Sequence, residues 1–529
     1  MHSNQTHTES HSSKASGSPR WLFFVFPSVS DLFFLVLLFS FSTGMLSQKL
    51  LGDAGTGWHI RAGEQILATH SIPRTDSFSI STLEKPWFAW EWLYDASIAL
   101  FHHVLGLNGV VLVTAFVIAL TFALSLRLTL RRGATLPVAV FLVLLAAGAS
   151  TIHFLARPHV FSWLLLVILF ELIDASGARN SARLLWWLPL IMLLWVNVHG
   201  GFLLGFVVAV IFLAGKGIDY WRMPEQRVAL KPWISSLGFV TTVSFLVTFI
   251  NPYGYKLHLH IYRYLTDRFL MNHVEEFQSP NFHGVAQRCF AVLVLIAIAT
   301  LSLGRRKPDA SHLLILVFAV YSGMYATRNL PGSSILLLFI IAPLLSEWLT
   351  DTEVCSLWAR PWNRLQSFFV RMTATEGRLQ GHLWPVIGTA ALLLICFQHG
   401  QAGSRQVMDA QFSSQRFPVQ ASNYIQQHDP GVPIFAPDYW GGYFIYRLFP
   451  QNQVFVDDRH DLYGDAFLKK YLGVIHVVPG WNQVLDDMQV NLIVSPAESS
   501  LTNILKETHQ WRIEYQDKTA VVFRRGHSQ

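Results

Sequence analysis

The first long apolar run of the chain is followed at once by the segment Leu51-Gly-Asp53-Ala-Gly-Thr-Gly-Trp58-His59-Ile-Arg61-Ala-Gly63-Glu64. A carboxylate, an imidazole and a guanidinium therefore come together where a membrane-spanning helix should end. Ionisable groups at this depth are costly to bury, and they are usually functional or paired. The segment predicts an active site at a membrane surface. A second acid, Glu91, stands between two tryptophans in the same connection.

The composition of the chain is that of a membrane protein. Of the 529 residues, 52% are hydrophobic and only 14% are charged, whereas soluble domains carry about 25% charged residues. The net charge of +6 comes from basic residues in short connections, where they set membrane orientation, and does not indicate nucleic-acid binding. The three cysteines lie far apart in sequence and predict neither a disulfide framework nor a metal site.

Eleven apolar runs are long enough to cross about 30 Å of hydrocarbon. The fifth and sixth are nearly continuous across His199-Gly200-Gly201, so a single helix and ten spans is the alternative. Eleven spans place every basic cluster on the cytoplasmic side, as membrane orientation requires, and a glycine turn then separates the two runs. The runs lie near residues 22–48, 108–130, 134–155, 158–176, 184–198, 201–219, 233–250, 287–304, 310–327, 331–349 and 383–400.

Three regions are predicted. Residues 1–20 are polar and predict a disordered tail, and residues 21–402 predict a transmembrane domain whose long exterior loop, 49–107, carries two interfacial helices with their aromatic faces in lipid. Residues 403–529 alternate short strand-like and helix-like runs and predict an exterior α/β domain. The N-terminus is expected in the cytoplasm and the C-terminus outside it.

This topology places the conspicuous polar residues on one side of the membrane. The five exterior connections together are expected to line one cavity. They carry Asp53, His59, Arg61 and Glu91 in the first, Arg157 in the second, His199 in the third, Glu275 and Glu276 in the fourth, and Arg328 in the fifth.

The arrangement resembles the GT-C superfamily of membrane glycosyltransferases, which have many spans, an early acid in a long first exterior loop and two interfacial helices there. The resemblance implies a polyprenyl-phosphate-linked sugar donor and matches Asp53 to the loop-one acid. Residues 437–445, which contain Trp440-Gly-Gly-Tyr443, and Val456-Asp-Asp-Arg459 loosely resemble oligosaccharyltransferase C-terminal domains, without their Trp-Trp-Asp motif. The chain is also similar to bacterial multi-span proteins of unassigned activity.

Asp53 and Glu91 are the predicted catalytic residues. Asp53 is expected to act as a base or metal ligand, and the alternative is a turn or helix-cap residue. Apolar walls around Glu91 are expected to raise its pKa, while its alternative role is to cap the second interfacial helix. His59 and Arg61 are expected to orient the base or contact phosphate, or else to extend their polar ends to the membrane interface.

Further substrate-binding residues are predicted from their positions. Arg157 and Arg328 stand at exterior ends of spans, where a guanidinium can bind phosphate in a bidentate way; interface anchoring is the alternative. His199 is expected to line the cavity or to be a structural histidine. Glu275 and Glu276 could join Asp53 in holding a divalent metal, Mg²⁺ or Mn²⁺, or could simply be solvated.

Two motifs of the C-terminal region have competing interpretations. Trp440-Gly-Gly-Tyr443 predicts a glycine turn that presents both aromatics to an acceptor sugar, and a packed core is the alternative. Residues 457–461, Asp-Asp-Arg-His-Asp, lack the ligand spacing of a calcium loop and predict a salt-bridged turn. Asp76 is expected to have a structural role.

The leading hypothesis is an integral protein of the bacterial inner membrane that transfers a sugar from a polyprenyl-phosphate carrier to an exterior, periplasmic acceptor. A transporter or flippase of a lipid-linked or polar substrate is the second hypothesis, although we find no internal repeat of the kind typical of transporters. The third is a non-catalytic scaffold whose exterior domain binds a partner.

Overall fold

The computed structural model describes residues 22–179, 181–351, 356–379 and 381–526. The predicted tail, 1–20, lies outside the described residues. The helices of the N-terminal part are α1 Leu22–Val25, α2 Val29–Ser42, α3 Gly44–Leu50, α4 Gly55–Thr69, α5 Trp92–Arg131, α6 Leu136–Ser150, α7 His159–Ala178, α8 Leu188–Val198, α9 Phe202–Arg222, α10 Arg227–Val247, α11 Tyr255–Thr266, α12 Arg268–His273, α13 Val285–Leu303, α14 Ala310–Tyr325, α15 Leu330–Asp351, α16 Ser356–Arg378 and α17 Leu383–Phe397.

The helical membrane architecture is confirmed. Within the described ranges, eight helices are long and apolar enough to cross a membrane, and a bent pair, Arg360–Arg378 with Leu383–Phe397, makes nine if it forms one span. Two more apolar helices, Ala182–Val198 and Ala310–Tyr325, are shorter than 18 residues. Each of the eleven predicted runs thus contains a helix, while the number of spans stays a prediction. The chain is an integral membrane protein.

The first spanning helix begins at a doubly capped N-terminus. The Ser28 hydroxyl accepts a hydrogen bond from Asp31 N–H, and the Asp31 carboxylate accepts one from Ser28 N–H, so the two residues form a capping box. Glu376 of α16 accepts two further backbone N–H groups, those of Val29 and Ser30. These bonds satisfy N–H groups that a helix end leaves without intrahelical partners, and they attach α16 to the start of α2.

The two helices predicted in loop 49–107 are present, but one of them is not at a lipid surface. Helix α5 is 40 residues long and is interrupted at Gly106, whose φ of 63° is a left-handed conformation that glycine adopts at little cost. The interruption separates the predicted interfacial part from the spanning part. Helix α4 packs between α5 and the C-terminal domain, and its Trp58 is only 5% exposed. The prediction that Trp58 faces lipid is therefore wrong.

The chain breaks where the fifth and sixth runs meet. Helix α8 ends at Val198 and α9 begins at Phe202, so the two runs are separate helices, as predicted. Gly201 has a φ of −62°, which any residue can adopt. A side chain there would crowd His199 Nδ1 and Ser162 Oγ, each 2.7 Å from the position of its Cβ. The glycine is thus required by close packing, not by an unusual backbone conformation.

The C-terminal part is a small α/β domain, as predicted. Its four-stranded sheet has the order β3-β4-β6-β5, with β3 parallel to β4 and the other neighbours antiparallel. The boundaries 21–402 and 403–529 stay predictions. The elements are β1 Gln401–Ala402, β2 Arg405–Gln406, α18 Val419–His428, β3 Ile434–Phe435, α19 Asp438–Leu448, α20 His460–Tyr463, α21 Asp465–Ile475, α22 Trp481–Asp487, β4 Leu492–Pro496, α23 Ser500–Glu507, β5 Trp511–Gln516 and β6 Ala520–Arg525.

Part of the long first loop belongs structurally to this domain. Val454 N–H donates to Phe78 O at 3.1 Å, and Ile80 N–H donates to Val454 O at 2.8 Å. The same stretch supplies Asp76, which pairs with Arg459 of the domain at 2.8 Å. Loop one and the C-terminal domain therefore pack together on one end of the helical bundle. We call this end, where loop 49–107 contacts the C-terminal domain, the domain face.

Candidate active site

The connections predicted to share one side do meet at the domain face. Trp92 Nε1 donates to Asn197 Oδ1 at 2.8 Å, which joins the first connection to the third. Ala89 N–H donates to the Tyr253 hydroxyl at 2.8 Å, joining the first to the fourth. Thr327 N–H donates to Gln278 O at 2.9 Å, joining the fifth to the fourth. The predicted one-sided clustering is present in the fold.

A guanidinium shared by two carboxylates forms the centre of the site. Arg157 Nη1 donates to Asp53 Oδ1 at 2.8 Å and to Asp458 Oδ2 at 2.6 Å. Asp53 comes from the first connection, Arg157 from the second and Asp458 from the C-terminal domain. The three side chains are partly exposed, so a substrate can reach them.

Both acids are held by further donors. Asp53 Oδ1 also accepts Gly55 N–H at 2.7 Å, and Asp458 Oδ1 accepts Trp58 Nε1–H at 2.9 Å. Within the described part of the chain, Nε and Nη2 of Arg157 make no hydrogen bond. Because a guanidinium offers five donors in a fixed plane, Arg157 keeps donors that an incoming anion can use.

The two carboxylates differ in pKa. Burial raises both, but the guanidinium of Arg157 and the N–H of Gly55 outweigh burial at Asp53, so the pKa of that carboxyl is lowered. At Asp458, burial outweighs Arg157 and the nearby Asp53 charge adds to it, which raises the pKa to about 6. The guanidinium of Arg157 thus keeps Asp53 ionised, whereas Asp458 binds a proton more readily.

Glycines allow this cluster to form. A Cβ at Gly55 would overlap Arg157 Nη1 and Asp458 Oδ2. A Cβ at Gly57 of α4 would overlap Gly442 O of α19, and a Cβ at Gly442 would overlap Ala54 O. Helices α4 and α19 therefore approach backbone to backbone, which brings the C-terminal domain close enough to place Asp458 on Arg157.

Glu91 lies beside the cluster in a buried pocket with two histidines. His59 Nε2 lies 3.7 Å from one of its carboxylate oxygens, and His199 Nε2 lies 3.7 Å from the other. His199 Nδ1 accepts Gly201 N–H at 3.0 Å and contacts Ser162 Oγ at 2.7 Å. Since Nδ1 is an acceptor, a neutral His199 carries its proton on Nε2, which faces Glu91.

The pocket keeps its members uncharged near neutral pH. Burial raises the pKa of Glu91 to about 8, against an opposing effect of Arg157. Burial also lowers the pKa of both histidines well below their usual value, and the charge of Arg157 adds to this at His59. The predicted rise in the pKa of Glu91 thus has the predicted cause, its burial.

Arg328 pairs with one member of the acidic pair of the fourth connection. Arg328 Nη1 lies 3.5 Å from Glu276 Oε1, and its guanidinium covers the Phe277 ring at 4.6 Å. Among the described residues, no group of three or more His, Cys, Asp or Glu side chains is arranged to hold a metal. The predicted metal trio of Asp53, Glu275 and Glu276 does not assemble, because Asp53 and Glu276 each pair with an arginine.

Two predicted substrate residues of loop one make contacts within the protein, and their roles towards a substrate stay predictions. His59 is fully buried, its Nδ1 contacts Asp95 Oδ1 at 2.5 Å, and its Nε2 lies 3.7 Å from Glu91. Arg61 donates from Nε to Tyr446 O at 3.0 Å and pairs with Glu64 at 2.6 Å. It therefore fastens α4 to α19.

The Trp-Gly-Gly-Tyr motif is helical, and the predicted turn is wrong. Trp440 and Tyr443 lie in α19 and are 3% and 1% exposed. Trp440 Nε1 donates to Arg416 O at 2.9 Å inside the domain. The packed-core alternative is confirmed, because both aromatic rings are used to build the domain and the two glycines between them face neighbouring backbone.

The predicted salt-bridged turn at 457–461 is also confirmed, and one of its members does more. Arg459 pairs with Asp457 at 2.6 Å and with Asp76 at 2.8 Å. Asp461 pairs with His260 at 3.0 Å. Asp458 turns the other way, towards Arg157, which no local feature of the sequence indicated.

Comparison with solved structures identifies the fold. The oligosaccharyltransferase of Archaeoglobus fulgidus in its apo form matches with a TM-score of 0.53 and 10% identity, over 94% of this chain and 74% of that one. The chain shares the fold of that oligosaccharyltransferase. The predicted fold class, a polytopic helical membrane protein with a C-terminal α/β domain, is thereby confirmed.

Two further structures are similar to this chain at lower scores. ArnT from Cupriavidus metallidurans bound to undecaprenyl phosphate matches with a TM-score of 0.47 and 14% identity, over 94% of this chain and 97% of that one. The Archaeoglobus enzyme in complex with Zn and sulfate matches with a TM-score of 0.47 and 10% identity, over 89% and 67%. A scan of protein-family models and a search of curated proteins give no match.

The position of each site residue in the chain explains which of them the sequence could indicate. Asp53, Arg157 and Glu91 stand at the ends of apolar runs, where an ionisable residue is conspicuous. Asp458 stands among four other polar residues of a soluble domain, where a carboxylate is ordinary. The one indirect signal is the Gly441-Gly442 pair earlier in the chain, whose small size permits close packing at a docking surface but does not point to Asp458.

Proposed function

We propose that this protein is a membrane glycosyltransferase that transfers a sugar from a polyprenyl-phosphate-linked donor to an acceptor at the domain face. The observation that carries the proposal is Arg157, whose guanidinium is held by Asp53 and Asp458 and keeps free N–H donors beside them. The fold shared with an oligosaccharyltransferase supports the class of reaction, and an ArnT structure bound to undecaprenyl phosphate suggests the carrier lipid to test.

The chemistry follows from this arrangement. The donor's anomeric carbon is attacked by an acceptor oxygen, and the bond to the phosphate oxygen breaks. Negative charge then develops on the departing phosphate, and Arg157 can stabilise it through bidentate hydrogen bonds. Asp53 fixes the guanidinium in position. Arg328, on the fifth connection, pairs with Glu276, and we propose that it contacts a second part of the substrate.

We place the domain face on the exterior, periplasmic side of a bacterial inner membrane. Basic residues are retained on the cytoplasmic side of membranes, and the clusters Arg127/Arg131/Arg132 and Arg305/Arg306/Lys307 lie at the other ends of their helices. The acceptor would then be an exterior molecule that also reaches this face.

Dependence on a divalent cation, Mg²⁺ or Mn²⁺, stays a prediction. The described residues form no group of ligands that could hold such a cation. Arg157 occupies the space between the two acids that would otherwise be the natural ligands, and Glu276 is paired with Arg328. The residues present do not fit a metal, so we derive no step through one. Transfer with and without EDTA tests the dependence.

The proposal is tested with the full chain in lipid nanodiscs and a panel of radiolabelled undecaprenyl-phosphate sugars. We expect transfer or hydrolysis by the wild type and its loss in Asp53→Ala and Arg157→Ala. Because a hydrogen bond to a charged group contributes about 1.5–3 kcal/mol, Arg157→Ala should bind undecaprenyl phosphate about ten- to hundredfold more weakly.

Arg447→Ala is the matched control, since Arg447 is an exposed arginine of α19 that pairs with Asn423, and it should behave as the wild type. Folded wild-type protein that turns over no donor would contradict the proposal. Movement of labelled lipid across the bilayer without covalent transfer would instead establish the transporter alternative.

A further inference from the structure

The C-terminal domain contributes directly to the site of the membrane domain. Asp457 and Asp458 are adjacent, yet their side chains point to opposite sides. Asp457 turns into the domain and pairs with the buried Arg459, whereas Asp458 reaches Arg157 and Trp58 of the membrane domain. The ion pair of Asp457 holds the backbone of this turn, and Asp458 is thereby presented at the domain face.

We propose that Asp458 is the general base of the reaction, so that the C-terminal domain completes an active site that the membrane domain leaves unfinished. The inference rests on the proposed glycosyl transfer. The acceptor O–H gives its proton to the Asp458 carboxylate while the acceptor oxygen bonds to the anomeric carbon. The bond between that carbon and the phosphate oxygen breaks, and its electron pair leaves with polyprenyl phosphate.

Geometry favours Asp458 over the other two acids of the site. Asp53 accepts Gly55 N–H and Arg157 on the same oxygen, which stabilises its charge and makes it a weak base. Glu91 is buried and lies between two histidines. Asp458 is partly exposed, as Asp53 is, and its two oxygens accept separate N–H groups, one of Trp58 and one of Arg157. Among the residues that the structure describes, no backbone N–H donates to the Asp458 oxygens, whereas Gly55 N–H donates to Asp53.

Protonation behaviour supports the same assignment. A general base works best when its pKa lies near the operating pH, and burial together with the Asp53 charge raises the pKa of Asp458 to about 6. The carboxylate form therefore predominates at pH 7 and is lost as the pH falls through about 6. The charged and titratable groups around it are Arg157, Asp53, Asp457, His460 and Glu91.

The test compares pH–rate profiles of the full chain in nanodiscs with undecaprenyl-phosphate sugars as donors. Loss of general-base help costs about 10²–10⁴-fold, so Asp458→Asn should lower kcat by that amount at pH 7. The wild-type rate should fall below about pH 6, and the residual rate of Asp458→Asn should not. Asp458→Glu should recover part of the rate, because it restores the base at a displaced position.

Two readouts separate a base from a residue that only docks the domain. Binding of undecaprenyl phosphate alone should not weaken in Asp458→Asn, because Arg157 loses a competing acid. Resistance of the domain to limited proteolysis should also stay at the wild-type level. Asp486→Asn, at an exposed carboxylate of α22 paired with Arg525, is the matched control and should leave all readouts unchanged.

The outcomes distinguish this inference from the function on which it rests. Two results would overturn the role of Asp458 without contradicting the glycosyltransferase proposal. One is an Asp458→Asn variant as active as the wild type, and the other is a fall in rate below about pH 6 that persists in that variant. Easier proteolysis together with lost lipid binding in Asp458→Asn assigns the residue to docking and also overturns the inference. Folded wild type without any transfer overturns both proposals.

Discussion

Glu91 is a residue whose chemistry depends on its surroundings more than on its type. In sequence it is an acid between two tryptophans. In the fold it is 8% exposed, with an imidazole nitrogen 3.7 Å from each of its oxygens. Because burial raises its pKa to about 8, the carboxyl is protonated at neutral pH and can donate a hydrogen bond to the site.

The raised pKa of Glu91 predicts a pH-dependent stability. Its ordinary value is 4.5, so between about pH 4.5 and 8 the folded state binds a proton that the unfolded state has lost. Stability should therefore decrease as the pH rises through this range. Glu91→Gln, which mimics the neutral acid, should remove this decrease. Thermal unfolding of both proteins between pH 5 and 8.5 measures it, and parallel pH profiles would contradict the prediction.

At the scale of elements, the decisive contact is that of α4 with α19. Four small or glycine positions, Ala54, Gly55, Gly57 and Gly442, let the two helices meet through their backbones. The motif that predicted an aromatic turn is thus a packing surface. The position of Asp458 on Arg157 depends on this contact. Larger side chains at the helix contact should therefore displace Asp458 from Arg157.

Added volume at this contact should separate the domain from the bundle. Gly442→Ala should lower the midpoint of thermal unfolding and make the segment between α17 and α18 more sensitive to protease, because its Cβ would overlap the backbone of Ala54. Gly473→Ala is the matched control in helix α21, where a Cβ meets nothing within 4 Å. It should be neutral or stabilising by about 0.5–1 kcal/mol. Equal behaviour of the two variants would refute the role given to the contact.

At the scale of the whole molecule, Arg459 holds two distant parts of the chain together. It pairs with Asp457 of its own turn and with Asp76 of the first loop, and its guanidinium lies 4.7 Å from the centre of the Trp87 ring. All of these side chains are buried. Loop one is therefore fastened to the C-terminal domain 383 positions later in the chain.

Removing the Arg459 guanidinium should strongly destabilise the folded protein. Arg459→Ala leaves two buried carboxylates without their partner, and breaking a buried ion pair typically costs about 3–5 kcal/mol. We expect a large fall in the thermal midpoint and loss of ordered domain packing by limited proteolysis. Arg447→Ala, at an exposed arginine of the same domain, should change neither. A wild-type midpoint for Arg459→Ala would show that the pair is dispensable.

The sequence by itself determined the membrane class, the helices in all eleven apolar runs, the α/β nature of the C-terminal domain and the face that collects Asp53, Glu91, Arg157, His199 and Arg328. Hydrophobic periodicity and the cost of charge in a membrane are local and additive, so they can be read along the chain. Only the tertiary structure decided the burial of Trp58 and His59, the helical Trp-Gly-Gly-Tyr segment and the convergence of Asp53 and Asp458 on Arg157. These features depend on contacts between segments some 400 positions apart, and neither the packing of two helices nor the charges around a carboxylate can be read from its neighbours in sequence.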